Sequence, residues 1–409
     1  MNEVSDLKRE SQAAGGPDIS QPIDYKVICA DSHVNPPHDF WEHYMDKKWA
    51  DKLPKIEHGE DADYIVFEGR RKKLNLLGGG GAAGNKDFKA EGRRADMLAG
   101  GWMPHTRLED MDSDGIDAAV LFGGGPLGSS DVDLYIESFG AYNRWLSDFC
   151  KTDPRRLIGV GYIPLRDTQE SIRMMTEAKA LGFNAVNIPA FPQAKAANKT
   201  SGDTGAIAAM GAQAAALTGD PFGDRGLADP EFDDFWAAAV DLDMTLTIHL
   251  GARIARFGDK KHFLPDLLMT KYSMAEPIAV MIYGGVFDRF PKLRYTTVES
   301  GVGWFAHAAE YMDRTWEKQK GWIGSPLKER PSFYMDQNIY GSFINDRAGI
   351  LMRDLPGAKN IMWSSDYPHS ETTFPHSADV IARDFVGVPE EDKKMIICDR
   401  AKALFKIGA

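Results

Sequence analysis

Short apolar runs recur along this chain, and several stop on a residue able to bind a metal or move a proton. Ile361-Met362-Trp363 leads through Ser364-Ser365 to Asp366, and Pro368 then blocks any continuation of a sheet ladder. Tyr25–Ala30 leads into Asp31-Ser32-His33, Met244–Ile248 into His249, and Pro291–Val298 into Glu299. Runs of this length suit buried strands. Amphipathic stretches separate them, such as 168–181 and 133–153, where Trp145, Leu146 and Phe149 share a helical spacing. Strand and helix alternating in this way imply a parallel sheet. The carboxyl ends of such strands are where α/β barrels place their chemistry.

Further runs at Ile116–Phe122, Leu157–Ile163, Gly182–Ile188 and Gln337–Phe343 bring the count to eight. The expected fold is therefore α/β, a (β/α)8 TIM barrel with two long insertions near the active-site mouth. A doubly wound sheet would want a Gly-rich phosphate loop after the first strand, and Asp31-Ser32-His33 is not one. The insertions span 38–107, irregular and glycine-rich around Gly78–Gly81, and 190–228, with an Ala-rich helix at 206–217. The first is expected to be loop apart from a small strand at Tyr64–Phe67. Residues 25–409 read as one barrel domain. The polar residues 1–24 read as a flexible tail or an arm against a partner subunit. A terminal helix is expected over 390–405.

A net charge of -12 with no basic block argues against nucleic-acid binding. No apolar run reaches the roughly 18 residues of a membrane span. The three cysteines are far apart and form no Cys-x-x-Cys, which fits free thiols in a reducing cytoplasm.

In an extended segment residues two apart share a face, so Asp31 and His33 can converge while Ser32 turns away. Across a barrel mouth they would meet His249, Glu299 and Asp366. Imidazoles and carboxylates gathered there need something positive to join them, and a divalent cation does so. The alternative for Glu299 is a salt bridge to a barrel arginine such as Arg294 or Arg347.

Four motifs in order carry a family resemblance: Asp31-Ser32-His33, Leu246-Thr247-Ile248-His249, Phe290–Leu293 leading to Glu299-Ser300-Gly301-Val302-Gly303-Trp304, and Trp363–Pro368. With them the chain resembles the amidohydrolase-related branch of the metal-dependent amidohydrolase superfamily. That branch includes aminocarboxymuconate-semialdehyde decarboxylase and the resorcylate-type decarboxylases. The resemblance covers about Val27 to Phe405. It implies a (β/α)8 barrel with a divalent ion held by the strand-one pair Asp31 and His33, by His249 and by Asp366. This chain departs from it in having Asp-x-His rather than His-x-His or Glu-x-His on strand one. It also has Glu299 in the region where some decarboxylases carry a histidine. More carboxylate moves the metal preference from zinc towards manganese or iron. With Glu299 as a further ligand and His369 nearby, one or two ions per chain are expected.

The expected activity is a metal-dependent hydrolase or non-oxidative decarboxylase acting on a small carboxylated, cyclic or amide-like substrate. Glu299 or His369 would move the proton, and Arg253 and Arg256 would bind a substrate carboxylate. The alternatives are a non-heme dimetal oxygenase on the same barrel and a non-catalytic subunit paired with an active paralogue. A homodimer or higher oligomer is expected, with no nucleic-acid or membrane partner.

Overall fold

The apolar segments form eight parallel strands in a computed structural model that describes residues 23–193, 219, 225–249, 257 and 259–408. They are β1 (Ile28–Val34), β2 (Ala118–Gly123), β3 in two pieces (Leu157–Gly159 and Gly161–Tyr162), β4 (Ala185–Asn187), β5 (Thr245–His249), β6 (Arg294–Val298), β7 (Ile339–Phe343) and β8 (Ile361–Trp363). Each pairs in parallel with the next, from β1 with β2 through to β7 with β8. The break in β3 falls at Val160, whose N–H still donates to Leu121 O of β2. The ring closes where Asp366 N donates to Asp31 O and His33 N to Tyr367 O. The fold is thus the expected barrel.

Helices between the strands bury one face against this ring. Asp131 and Asp167 accept hydrogen bonds from Leu134 N and Glu170 N and so cap the helices Val132–Cys150 and Thr168–Ala180. The first of these buries Leu134, Phe139, Tyr142, Trp145, Leu146 and Phe149. The helix Phe305–Ile323 ends at Gly324 in the left-handed region, at φ 63°.

Three expectations change. The first strand does not stop at Ala30 but runs to Val34, fully buried, with a register shift between Cys29 and Ser32. Such a bulge re-aims the side chains beside it. The segment 38–107 is not mainly loop. It holds a four-stranded antiparallel sheet of Lys55–His58, Asp63–Phe67, Arg70–Asn75 and Glu91–Gly92. The expected strand Tyr64–Phe67 is there, as Asp63–Phe67; the other three lie largely open to water, with Leu74 the one buried residue of Arg70–Asn75, so no apolar alternation marks them. The terminal helix is split by a π-turn at Met395–Asp399. The expected helix 206–217 and the N-terminal arm up to residue 22 lie outside the described residues.

The antiparallel sheet is tied to the barrel at its tip, where Glu68 accepts from Ser129 Oγ and Ser130 N. The segment after it is tied by backbone: Gly81 N donates to Pro368 O, Ala83 N to Ser370 O, and Ser370 N to Leu77 O.

Arg107 fixes the seam from behind. Its guanidinium is buried, donates to His33 O, Gly100 O and Ser32 Oγ, and lies over the Tyr367 ring. Replacing Arg107 by Met would keep much of the volume but leave these buried acceptors unpaired. We expect a loss of about 2–4 kcal/mol, read by chemical denaturation. A loss under roughly 0.5 kcal/mol, the usual range for a surface change, would contradict this role.

Candidate metal centre

The strand ends bring Asp31, His33, His249, Glu299, Asp366 and His369 together. Asp31 and His33 project inward from β1, while Ser32 turns back to Arg107 and Tyr367 O. His249 closes β5, Glu299 follows β6, and Asp366 and His369 follow β8. Two donor groups result, Asp31/His33/His249 and His33/Glu299/Asp366/His369. The four residues expected to share one ion therefore fall into two groups that meet at His33.

The Nε2 atoms of His33 and His249 lie 2.9 Å apart, and Asp31 Oδ1 lies 3.8 and 3.3 Å from them. On the other side of its ring, His33 Nδ1 lies 3.1 Å from Asp366 Oδ1, which is also 3.0 Å from His369 Nδ1. The rings of His33 and His369 stack at 3.6 Å. Phe122 backs His249, with ring centroids 4.9 Å apart. Glu299 stands 3.9 Å from His249 Nδ1 and 4.0 Å from His369 Nδ1. The salt-bridge alternative for Glu299 fails, because Arg294 pairs with Asp243 and Arg347 donates to Asp384 O and Val386 O.

Burial shapes the charge here. It pulls His33 down to about 4, helped by the neighbouring His369. It acts in the same direction on His369, but Asp366 and Asp31 outweigh it and raise that imidazole. Burial, then Asp366 and Asp31, pushes Glu299 well above the usual carboxylate range. Burial opposes the charge on Asp366 too, yet His369 and His33 hold it below its ordinary value.

Glu299 and Asp366 share a backbone peculiarity, with φ 57° and 56°. The left-handed region costs a non-glycine residue roughly 1–3 kcal/mol and persists where the surroundings enforce it. Glu299 is held by its N–H on Ser342 Oγ, and the following turn by Val302 N and Gly303 N on Asp346.

A divalent cation fits this donor set. Asp31 Oδ2 and Asp366 Oδ2 are buried without a hydrogen-bond partner. Buried carboxylate oxygens left so would cost several kcal/mol each without a cation.

Arg253 and Arg256, expected to bind substrate, lie outside the described residues. Sequence reasoning missed Lys271. Its ammonium pairs with Glu371 at 2.6 Å, and burial, which would lower it, is outweighed by Glu299 and Glu371, which raise it. It sits on the helix Phe263–Tyr272, whose apolar residues follow no amphipathic period that would have marked it. Cys29, Cys150 and Cys398 are unpaired and buried, and no described helix is long and apolar enough to cross a membrane.

The site and the barrel together define a class. A family model described as Amidohydrolase matches residues 30–407, and the chain belongs to that family. Among curated proteins it is similar to 2-amino-3-carboxymuconate-6-semialdehyde decarboxylase of Dictyostelium discoideum. They are 21% identical over 277 residues, which are 65% of this chain and 67% of that one. Among solved structures it is similar to an amidohydrolase of Mycobacterium avium subsp. paratuberculosis K-10, at TM-score 0.69 and 19% identity over 94% of this chain and 98% of that one. It is also similar to 5-carboxyvanillate decarboxylase of Novosphingobium aromaticivorans, solved with manganese and 3-methoxy-4-hydroxy-5-nitrobenzoic acid. There the TM-score is 0.62 and the identity 18%, over 94% of this chain and 97% of that one.

If these donors hold a cation, chelation should lower the unfolding temperature and added manganese should restore it. At 100 times the dissociation constant the cation would add about 2.7 kcal/mol. His33→Ala, which removes the shared ligand, should abolish the manganese response and lower the bound metal read by elemental analysis. A manganese response unchanged in His33→Ala would contradict the assignment.

Proposed function

We propose that this chain is a divalent-metal-dependent carboxy-lyase that removes carbon dioxide, without net oxidation or reduction, from a small aromatic or cyclic carboxylate. The observation that carries this reading is the meeting of three buried carboxylates with three imidazoles at one mouth. Among the described residues, the only ion-pair partners of those carboxylates within 4 Å are imidazoles. Similarity to two decarboxylases favours carbon dioxide release over the hydrolysis also expected.

We assign the ion to Asp31, His33, His249 and Asp366, with manganese as the first candidate because a similar structure carries it. Asp366 Oδ1 faces the two imidazoles, while Oδ2 has no partner and is available to a cation. We propose one ion per chain, within the one or two expected, with His33 as the residue common to both donor groups. When bound, the ion supplies positive charge that holds substrate oxygens and stabilises electron density during bond breaking.

Breaking the carbon–carbon bond leaves its electron pair on the ring carbon, which must take a proton. Glu299 holds that proton, since burial and the neighbouring carboxylates favour its protonated form. His369, 4.0 Å away, relays the replacement, and its stacking on His33 fixes its ring. Residues 25–409 act as one domain, with the segment 38–107 as a wall of the mouth. The backbone hydrogen bonds between 77–83 and 368–370 support that wall.

Manganese-loaded protein should release carbon dioxide from one or more members of a panel of hydroxybenzoates and cyclic dicarboxylates, each product carrying one carboxylate fewer. Hydrolysis of an amide or lactone panel with no carbon dioxide from the acids would overturn the reading. Glu299→Gln keeps the shape and removes the transferable proton. It should lower turnover at least ~100-fold with metal content unchanged. Full turnover in Glu299→Gln would remove Glu299 from the proton path.

A further inference from the structure

The turn Gly78–Gly81 passes beside the ring of His369. Hydrogen bonds pin it. Gly79 N and Gly80 N donate to Leu76 O, Leu98 N to Gly79 O, and Gly81 N to Pro368 O. Asn35, two residues beyond His33, donates from Nδ2 to Gly78 O at 2.9 Å. Three of these glycines have local reasons. Gly81 adopts φ 75°, in the left-handed region. A Cβ on Gly80 would stand 2.9 Å from Leu76 O, and one on Gly79 would run into Met97 and the Asn35 amide.

Gly78 has no such reason. Its φ lies outside the left-handed region. A Cβ there would meet, among the described residues, only the His369 ring, at 3.6 Å from Nε2 and 3.7 Å from Cδ2. That is ordinary van der Waals contact, so an alanine fits the turn. Alanine in place of glycine at a compatible position restricts the unfolded chain and favours folding. Neither local geometry nor stability therefore explains a bare backbone at 78. What it leaves open does. His369 Nδ1 is engaged by Asp366 at 3.0 Å, and one ring face stacks on His33. Nε2, the ring atom nearest Gly78, has no hydrogen-bond partner among the described residues and is not closed off from the mouth.

Resting on the carboxy-lyase reading, we infer that Gly78 is a specificity-determining residue. Part of the substrate lies across its bare Cα and against the Nε2 edge of His369, and side-chain volume at position 78 sets how wide a carboxylate the mouth admits. The missing Cβ supplies the room, and Nε2 supplies a hydrogen bond to a polar atom placed there. The turn is held at Asn35, Leu76, Leu98 and Pro368, so a shift of the loop cannot relieve an added side chain. That side chain takes its volume from the ligand, and a wide ring system loses contact before a narrow one.

The test is binding, measured by calorimetry on the manganese-loaded full chain with benzoate as the narrow probe and naphthalene-2-carboxylate as the wide one. The wild type should bind both. Gly78→Val should weaken the wide probe roughly tenfold or more and the narrow one less than about threefold, the discrimination that one or two methyl groups of lost room support. Gly78→Ala should show the same order with a smaller loss. Its unfolding midpoint should match or exceed that of the wild type, and its manganese content should be unchanged. Gly84→Val is the control, since a Cβ at Gly84 meets nothing within 4 Å, and it should change neither affinity. If Gly78→Val does not fold, Gly78→Ala decides by the same comparison. The inference is overturned if the wild type does not bind the wide probe, if the variants bind the pair as the wild type does, or if both affinities fall together. It is also overturned if Gly78→Ala loses stability or manganese, because the glycine is then structural. Carbon dioxide release is assayed separately. A width limit set by residue 78 with no acid decarboxylated keeps the inference and refutes the reaction.

Discussion

The organising constraint of this molecule is charge compensation inside a closed ring of strands. Asp31, Glu299 and Asp366 are almost wholly buried. Among the described residues, their ion-pair partners within 4 Å are the imidazoles of His33, His249 and His369. Three carboxylates cannot all ionise there without cations, and neutral histidines supply none. The site answers this in two ways. His369 is pushed towards its charged form by Asp366 and Asp31, and Glu299 is pushed towards its neutral one. The remaining deficit falls on Asp31 and Asp366, the carboxylates with unpartnered oxygens. The same imbalance that calls for a metal therefore separates the residues suited to binding it from those suited to carrying protons.

Backbone geometry enforces that separation. Glu299 and Asp366 each follow a barrel strand and each adopt a left-handed backbone that an ordinary side chain avoids. An extended backbone would alternate the side chains and carry the chain onward. The left-handed turn instead breaks the strand at the residue that must face the mouth. Ser342 and Asp346 brace Glu299 and its turn from β7 and the loop beyond it. Thr372 and Thr373 brace the Asp366 loop through Ser365 O. The cost is met by hydrogen bonds from neighbouring strands and loops, so the position of each carboxylate depends on the assembled barrel.

What the sequence disclosed follows the same physics. The barrel was legible because its strands are buried on both sides and read as largely apolar runs, as in Ala118–Phe122 and Ile361–Trp363. The inward residues were legible because each stood at the end of such a run. The sheet at 55–92 was not, since strands such as Arg70–Asn75 face water and leave no apolar rhythm. Lys271 was not, because its importance lies in where its helix sits. Nothing in the run 263–272 says that Lys271 pairs with Glu371 in the loop after Asp366. The grouping around His33 was hidden as well. Spacing placed Asp31, His33, His249 and Asp366 at one mouth, but not on which nitrogen of His33 each neighbour would stand.

The seam between β1 and β8 has a consequence for how the molecule is made. Asp31 lies in the first strand and Asp366 just beyond the last, and the backbone bond that closes the ring joins these same two residues. During synthesis, β1 emerges first and waits, with two candidate donor side chains displayed, while seven strands are added. Only when β8 leaves the ribosome does the ring shut, and in the same event Asp366 and His369 meet His33. A chain halted before that point holds only the Asp31, His33 and His249 group, without Asp366 and His369. It has an unsealed barrel edge and a half-set of donors, the state in which quality control would find it.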